Sequence, residues 1–231
     1  MPTATHIDAL KSNMAEINRL LAIHKQVAGA GAGRKLDVEV LNKSGIVLLL
    51  ACWEAYIEDL AAAAFKRLLT VATEPTAFPE HVLAIAAKEI KKSDTLTFWG
   101  IAKDGWKAEL TKHGQRVLDL YIERGSFNTP SAPNIDRLFS EMVGLTSVSK
   151  QWYWGGMSHI RSAEKLAQLI ELRGNIAHRV KTSHPVMKAD VVQYKQFIYR
   201  LAVITHNRTN VFLQTRFATK HWPKYVFKST R

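Results

Sequence analysis

The apolar residues of this chain recur at spacings of three and four almost from end to end, and no stretch alternates with a period of two for long. That regularity constrains the fold most, because a helix must bury one stripe along its length whereas a strand buries every second residue. The chain therefore reads as all-α. A first helix is expected from about Thr5 to Val27, with Ile7, Leu10, Met14, Ile17, Leu20, Leu21 and His24 on one face. A long second helix is expected from about Val38 to Ala72, carrying Ile46, Leu49, Leu50, Trp53, Ile57, Leu60, Ala61, Ala64 and Leu68. Its stripe is wide, which makes it the central element of the core. Between the two, AGAGAGRK (residues 28–35) comes after a helix rather than a strand and matches no phosphate-cradling pattern, so it reads as a flexible connector.

Further along, TEPTAFP (73–79) marks a turn before a short helix ending near Lys91, and SDT (93–95) offers an N-cap for the next helix. The helical pattern of 98–123 is interrupted by Gly100, Gly105 and Gly114, each a point where the helix is expected to break. SFNTPSAPN (126–134) is a loop leading into the helix IDRLFSEMVGL, which ends near Gly144. SVSKQWYWGG (147–156) reads as an ordered loop or small hairpin, whose Trp152, Tyr153 and Trp154 either pack over the core or stack on bases. Two long helices close the chain, from about Ser162 to Lys181, with Glu164 in the first turn, and from Ala189 to about Phe217. One domain of 231 residues is expected, with its core over about 38–218 and a basic tail, 219–231, acting as a docking strand or a disordered arm.

Charge is distributed unevenly. Residues 1–144 hold equal numbers of basic and acidic groups, while residues 145–231 hold fifteen basic groups against three acids, Glu164, Glu171 and Asp190, and so carry the whole net charge of +12. Such segregation favours a polyanionic partner, nucleic acid before membrane, over a basic surface kept only for solubility. The longest apolar run, GIVLLLACW (45–53), is far shorter than a bilayer span, and the N-terminus has no signal pattern. A cytoplasmic protein is expected, with no membrane partner. The single cysteine, Cys52, lies within that run and reads as a small buried hydrophobe.

The segment ELRGNIAHRV (171–180) departs from what a helix prefers, since Gly174 costs roughly 1 kcal/mol against Ala. At about 100° per residue, Arg173 and His178 flank a strip of small groups, Gly174 and Ala177, and diverge by about 140°. One subunit is poorly placed to focus both on one atom, whereas two copies packed along that strip could supply an Arg and a His from each chain to a shared cleft. The residue types suit RNA. Histidine can take and return a proton near neutrality, and arginine clamps phosphate oxygens. Asn175 could donate to a phosphate or fix the imidazole tautomer. Glu54, at the edge of the apolar stripe of the second helix between Leu50 and Ile57, needs a partner, either an ordinary ion pair or an arginine that it orients, Arg173. The alternative for the motif is structural, with Arg173 paired to Glu54 or Glu171 and His178, Arg179 and Lys181 complementing the helix C-terminus.

RGNIAHR, preceded by SAEKLAQLIEL, resembles the RxxxxH motif of the HEPN superfamily, and LLLACWEAYIEDL and FNTPSAPNIDRLF resemble segments of its RiboL-PSP type, so the likeness spans about residues 40–182 in order. The resemblance implies an all-α HEPN-like bundle and a metal-independent, homodimeric endoribonuclease with Arg173 and His178 catalytic. It also implies toxin or defence roles, under the control of an antitoxin or regulatory protein. Members commonly have Asn, Asp or His directly after the arginine, where this chain has Gly174. No cofactor and no metal are implied, and no histidine stands at a zinc-binding spacing such as HExxH. The competing expectation is a module of the same fold that binds RNA or a protein without chemistry.

Overall fold

The computed structural model describes residues 4–28, 38–91, 100–122, 129–179, 182, 184–217 and 222–227. Most of the connector expected at 28–35, the SDT cap, the start of the 126–134 loop and Lys181 lie outside the described residues. Among the described residues there are seven α-helices and no strand: α1 Thr5–Ala28, α2 Glu39–Val71, α3 Glu80–Ile90, α4 Gly105–Ile122, α5 Ala132–Val143, α6 His159–Arg179 and α7 Lys188–Phe217. This is the all-α class that the spacing predicts. No helix among these residues is long and apolar enough to cross a membrane.

Helix α2 is the axis, and α1, α4, α5, α6 and α7 all pack against it. Trp53, Ile57, Leu60, Ala61, Ala64 and Leu68 are fully buried along its length. Its polar ring atoms are bonded outward to other elements: Trp53 Nε1 donates to the carbonyl of Pro130 at 3.2 Å and the Tyr56 hydroxyl to that of Ala202 at 2.7 Å. The buried core reaches beyond the 38–218 stretch, to Ile7, Leu10 and Ile17 of α1 on one side and Trp222 on the other. Cys52 is buried, and burial pushes its thiol pKa up.

Two expectations need correction, and one open alternative is decided. Gly114 does not break its helix, because α4 runs through it and its missing Cβ makes room for the Phe65 ring. Ser162 does not start α6: the helix begins at His159, Ser158 Oγ accepts the Arg161 N–H at 3.2 Å, and Ser162 is buried one turn inside. The 147–157 segment is an ordered loop rather than a hairpin, with a 3₁₀ turn at Val148–Gln151 and one isolated bridge between Trp154 and Met157. Asp136 fixes that turn by accepting the Ser149 N–H and hydroxyl at 2.8 and 2.6 Å. Trp152 packs in the core edge-on to Trp53, with Nε1 donating to Thr205 at 2.9 Å, while Tyr153 is 60% exposed.

The tail is docked over residues 222–227. Asn210 bonds both backbone groups of Trp222, at 2.8 and 3.1 Å, and Asn207 both of Tyr225, at 2.8 and 3.0 Å. Two amides on α7 thus satisfy an extended segment as a neighbouring strand would. Between them, His206 Nε2 lies 3.0 Å from the Pro223 carbonyl and must carry the proton to donate. His206 Nδ1 is then an acceptor, and His6 Nε2 of α1 donates to it at 2.8 Å. Both imidazoles are buried and neutral: burial and the neighbouring His206 lower the His6 pKa to about 3, and burial lowers that of His206.

A base whose pKa falls on folding contributes stability that is present above its unfolded value, 6.5, and is lost as pH drops through that value toward about 3. Thermal unfolding should therefore weaken progressively below about pH 6.5. His206→Ala is expected to cost about 2–4 kcal/mol at neutral pH, through lost bonds and a cavity, and to flatten that acid slope. An unchanged slope in the variant would show that the pair is not its source.

Candidate functional site

The site is built on the last two turns of α6, where it crosses α2. Leu166, Leu169 and Ile176 form the buried face of α6, and Arg173 lies on that same face, half-buried. Its guanidinium stands close enough to Glu54 of α2 to act on it: burial raises the Glu54 carboxyl pKa, and the charge of Arg173 opposes the rise. Arg173 and Glu54, separated in the chain, are thus brought together. His178 is exposed in the last turn with Arg179, turned away from that face. Asn175, two residues after Arg173, is half-buried. Among the described residues, no hydrogen bond and no ion pair at bonding distance holds the side chains of Arg173, Asn175 or His178.

Within one chain the arginine therefore faces α2 and the histidine faces solvent. The strip between them is open. A Cβ added at Gly174 would meet nothing within 4 Å, and Ala177 is exposed. On α2 a second open strip runs beside Glu54, with Val40 62% and Leu48 43% exposed and Ala51 also exposed. After the motif the 184–187 segment returns to α2: the Asn42 amide donates to the Val186 carbonyl at 2.9 Å, and the Val186 N–H donates to the Glu39 carboxylate at 3.4 Å.

One member of the site is missed by sequence reasoning. Glu58, one turn beyond Glu54 on the same side of α2, is half-buried, and burial, Glu54 and Asp59 together raise its carboxyl pKa to about 7. The i, i+4 spacing of the two glutamates in EAYIED is its available signal. The acids and Arg173 form one electrostatic unit: a second negative charge is disfavoured at Glu58 while Glu54 is ionised beside the guanidinium. Among the described residues no group of three or more His, Cys, Asp or Glu side chains could hold a metal ion.

A family model described as RiboL-PSP-HEPN matches residues 8–210, which takes in α1 through most of α7. Among curated proteins and among solved structures nothing matches the chain.

The raised pKa of Glu58 has a measurable sign. Its proton contributes stability that is complete below the ordinary value of 4.5 and is lost as pH rises through about 7. Glu58→Gln, permanently neutral, should match the parent in urea unfolding near pH 4 and exceed it by about 1 kcal/mol near pH 8, allowing for solvent screening of a half-exposed group. A gap that does not change with pH would mean that Glu58 ionises normally.

Proposed function

The chain belongs to the RiboL-PSP-HEPN family, and from that premise we propose that it is a homodimeric, metal-independent endoribonuclease in which Arg173 and His178 act on RNA. The observation that carries the reading is the opposed placement of these two side chains on α6 around an open strip at Gly174 and Ala177. A second copy packed along that strip would bring the arginine of one subunit toward the histidine of the other. The apolar open strip of α2 beside Glu54 supports the same contact, since Val40, Leu48 and Ala51 are otherwise left to water.

In the proposed reaction the 2′-oxygen of a ribose attacks the adjacent phosphorus and the bond from phosphorus to the 5′-oxygen breaks. The products are a 2′,3′-cyclic phosphate and a 5′-hydroxyl. His178 moves a proton, from the attacking hydroxyl or to the departing oxygen. Arg173 stabilises the charge gathering on the phosphoryl oxygens. Glu54 orients Arg173, and Glu58, with its carboxyl pKa raised to about 7, is only partly charged near neutrality. Asn175 donates to a phosphate oxygen or holds the imidazole. In a cell such an enzyme serves as a toxin or a defence nuclease in the cytoplasm, held in check by an antitoxin or regulatory protein.

A second reading has its own observation. Gly174 occupies the position after the motif arginine where members of the family commonly carry Asn, Asp or His, and Arg173 lies half-buried on the face toward α2. These favour a non-catalytic module that binds RNA or a protein.

Purified protein should cut single-stranded RNA in excess EDTA and leave 2′,3′-cyclic phosphate ends, with His178→Ala slowing the reaction by about 10²–10⁴ and Arg173→Ala by about 10²–10³, both remaining folded by circular dichroism. Cutting that survives His178→Ala, or that needs added metal, sinks the mechanism. Binding without any product in the parent protein supports the second reading. Gly174→Leu tests the seam separately. The Cβ it adds meets nothing within 4 Å in the subunit, so the fold should persist while sedimentation shifts from dimer to monomer and activity falls. A dimer that tolerates leucine there is built elsewhere.

A further inference from the structure

Two hollows lie side by side between α6, α7, α1 and the docked tail, away from Glu54 and its neighbours. The first, of about 260 Å³, is lined by Trp154, Lys165, Gln193, Arg200 and Phe227. The second, of about 380 Å³, is lined by Lys11, Asn18, Lys195, Tyr199 and Phe227, and is the more apolar of the two. They share Gln196 and Phe227, so they form one groove.

Arg200 and Lys165 are held by rings rather than by carboxylates. The Arg200 guanidinium sits 4.1 Å from the centre of Phe227 and 4.9 Å from that of Trp154, and the Lys165 ammonium 5.2 Å from Phe197 and 5.6 Å from Tyr194. Lys195 is bonded to the Asn18 carbonyl oxygen at 2.6 Å, and burial lowers its pKa. Lys11 lies 5.1 Å from the Tyr225 ring centre and 3.7 Å from Asp8. No carboxylate lines either hollow, and among the described residues none is within ion-pair distance of Lys165, Lys195 or Arg200. A cation stacked on aromatic faces is fixed in position while its charge stays uncompensated, which is an arrangement suited to phosphate. The adjoining apolar hollow, bounded by Tyr199, Val226 and Phe227, can receive a planar base.

We propose that this groove binds single-stranded RNA, with a phosphate between Arg200 and Lys165 and the neighbouring base against Phe227 and Tyr199. Alternating cations and accessible rings recognise an unpaired strand, because a duplex buries the base faces that the rings would take. Apart from Lys11, Met14 and Asn18 of α1, its lining residues also belong to the part of the chain that carries the whole positive excess. This rests on RNA being the ligand of the protein but not on its being cut.

The test uses the full chain carrying His178→Ala, so that RNA stays intact, and the fluorescence anisotropy of a labelled oligouridylate. Arg200→Gln with Lys165→Gln should weaken binding about tenfold or more and reduce its salt dependence. Phe227→Leu, which keeps the volume but loses the flat ring, should weaken it about fivefold or more. Lys66→Gln with Lys88→Gln, exposed on α2 and α3, removes the same charge elsewhere and should cost less than about twofold. Equal losses in the two double variants would overturn the proposal in favour of attraction by net charge. Equal affinity for duplex RNA, or tight binding of uridine monophosphate without gain from the longer strand, would overturn it too. If the groove variants bind normally while the His178 parent cuts RNA, this inference fails alone. If binding depends on the groove but nothing is ever cut, only the proposed catalysis fails.

Discussion

Burial of α2 is the constraint on which the rest depends. A helix with so wide an apolar face cannot satisfy itself with one neighbour, and five other helices gather on it. Apolar contact alone would let them slide. The bonds from Trp53 to Pro130 and from Tyr56 to Ala202 forbid that, because a buried indole N–H or phenol left unpaired costs about 1–3 kcal/mol. Gly45 adds a steric condition, since a Cβ there would come within 2.9 Å of Val191 at the crossing with α7. Register at the centre then sets where Glu54 and Glu58 emerge, and so where α6 must present Arg173.

The second organising feature joins the two ends of the described chain. His6 near the start, His206 in α7 and Pro223 near the end form one chain of hydrogen bonds, with the Trp222 ring 4.9 Å from that of His6 and 5.6 Å from that of His206. Its proton arrangement has a single solution, because one nitrogen must donate to a carbonyl that can only accept. Functionally this clasp holds the tail against α7, which places Phe227 over Arg200. The groove wall is therefore a consequence of packing about two turns away along α7.

The motif itself shows how a pair of residues can be local in sequence and divided in space. Five positions on a helix cover more than one turn, so Arg173 turns inward toward Glu54 while His178 turns outward. The small groups between them leave room that the subunit does not fill. That an inward arginine beside acids and an outward histidine at a bare strip are two halves of a shared cleft is the proposal this division motivates.

Much of this is legible in the residues. The seven helices come from local spacing, and the family likeness comes from three short segments, because both depend on residues near one another in the chain. The departures share one cause. Gly114 has the local character of a break, and only the Phe65 ring, packed from another helix, explains why a helix passes through it. Ser162 has the character of a cap, yet burial claims it and Ser158 takes the role. Glu58 shows only its i, i+4 spacing from Glu54 and the two clasp histidines no distinctive local pattern, since their character comes from desolvation and, for the histidines, from partners far along the sequence. Periodicity, charge segregation and the identity of the motif residues are thus determined by the sequence alone, being sums over neighbouring positions. Which face of α6 is inward, where the tail docks and which cations share a groove are decided only by tertiary packing, because these depend on distances between residues that the chain's order does not contain.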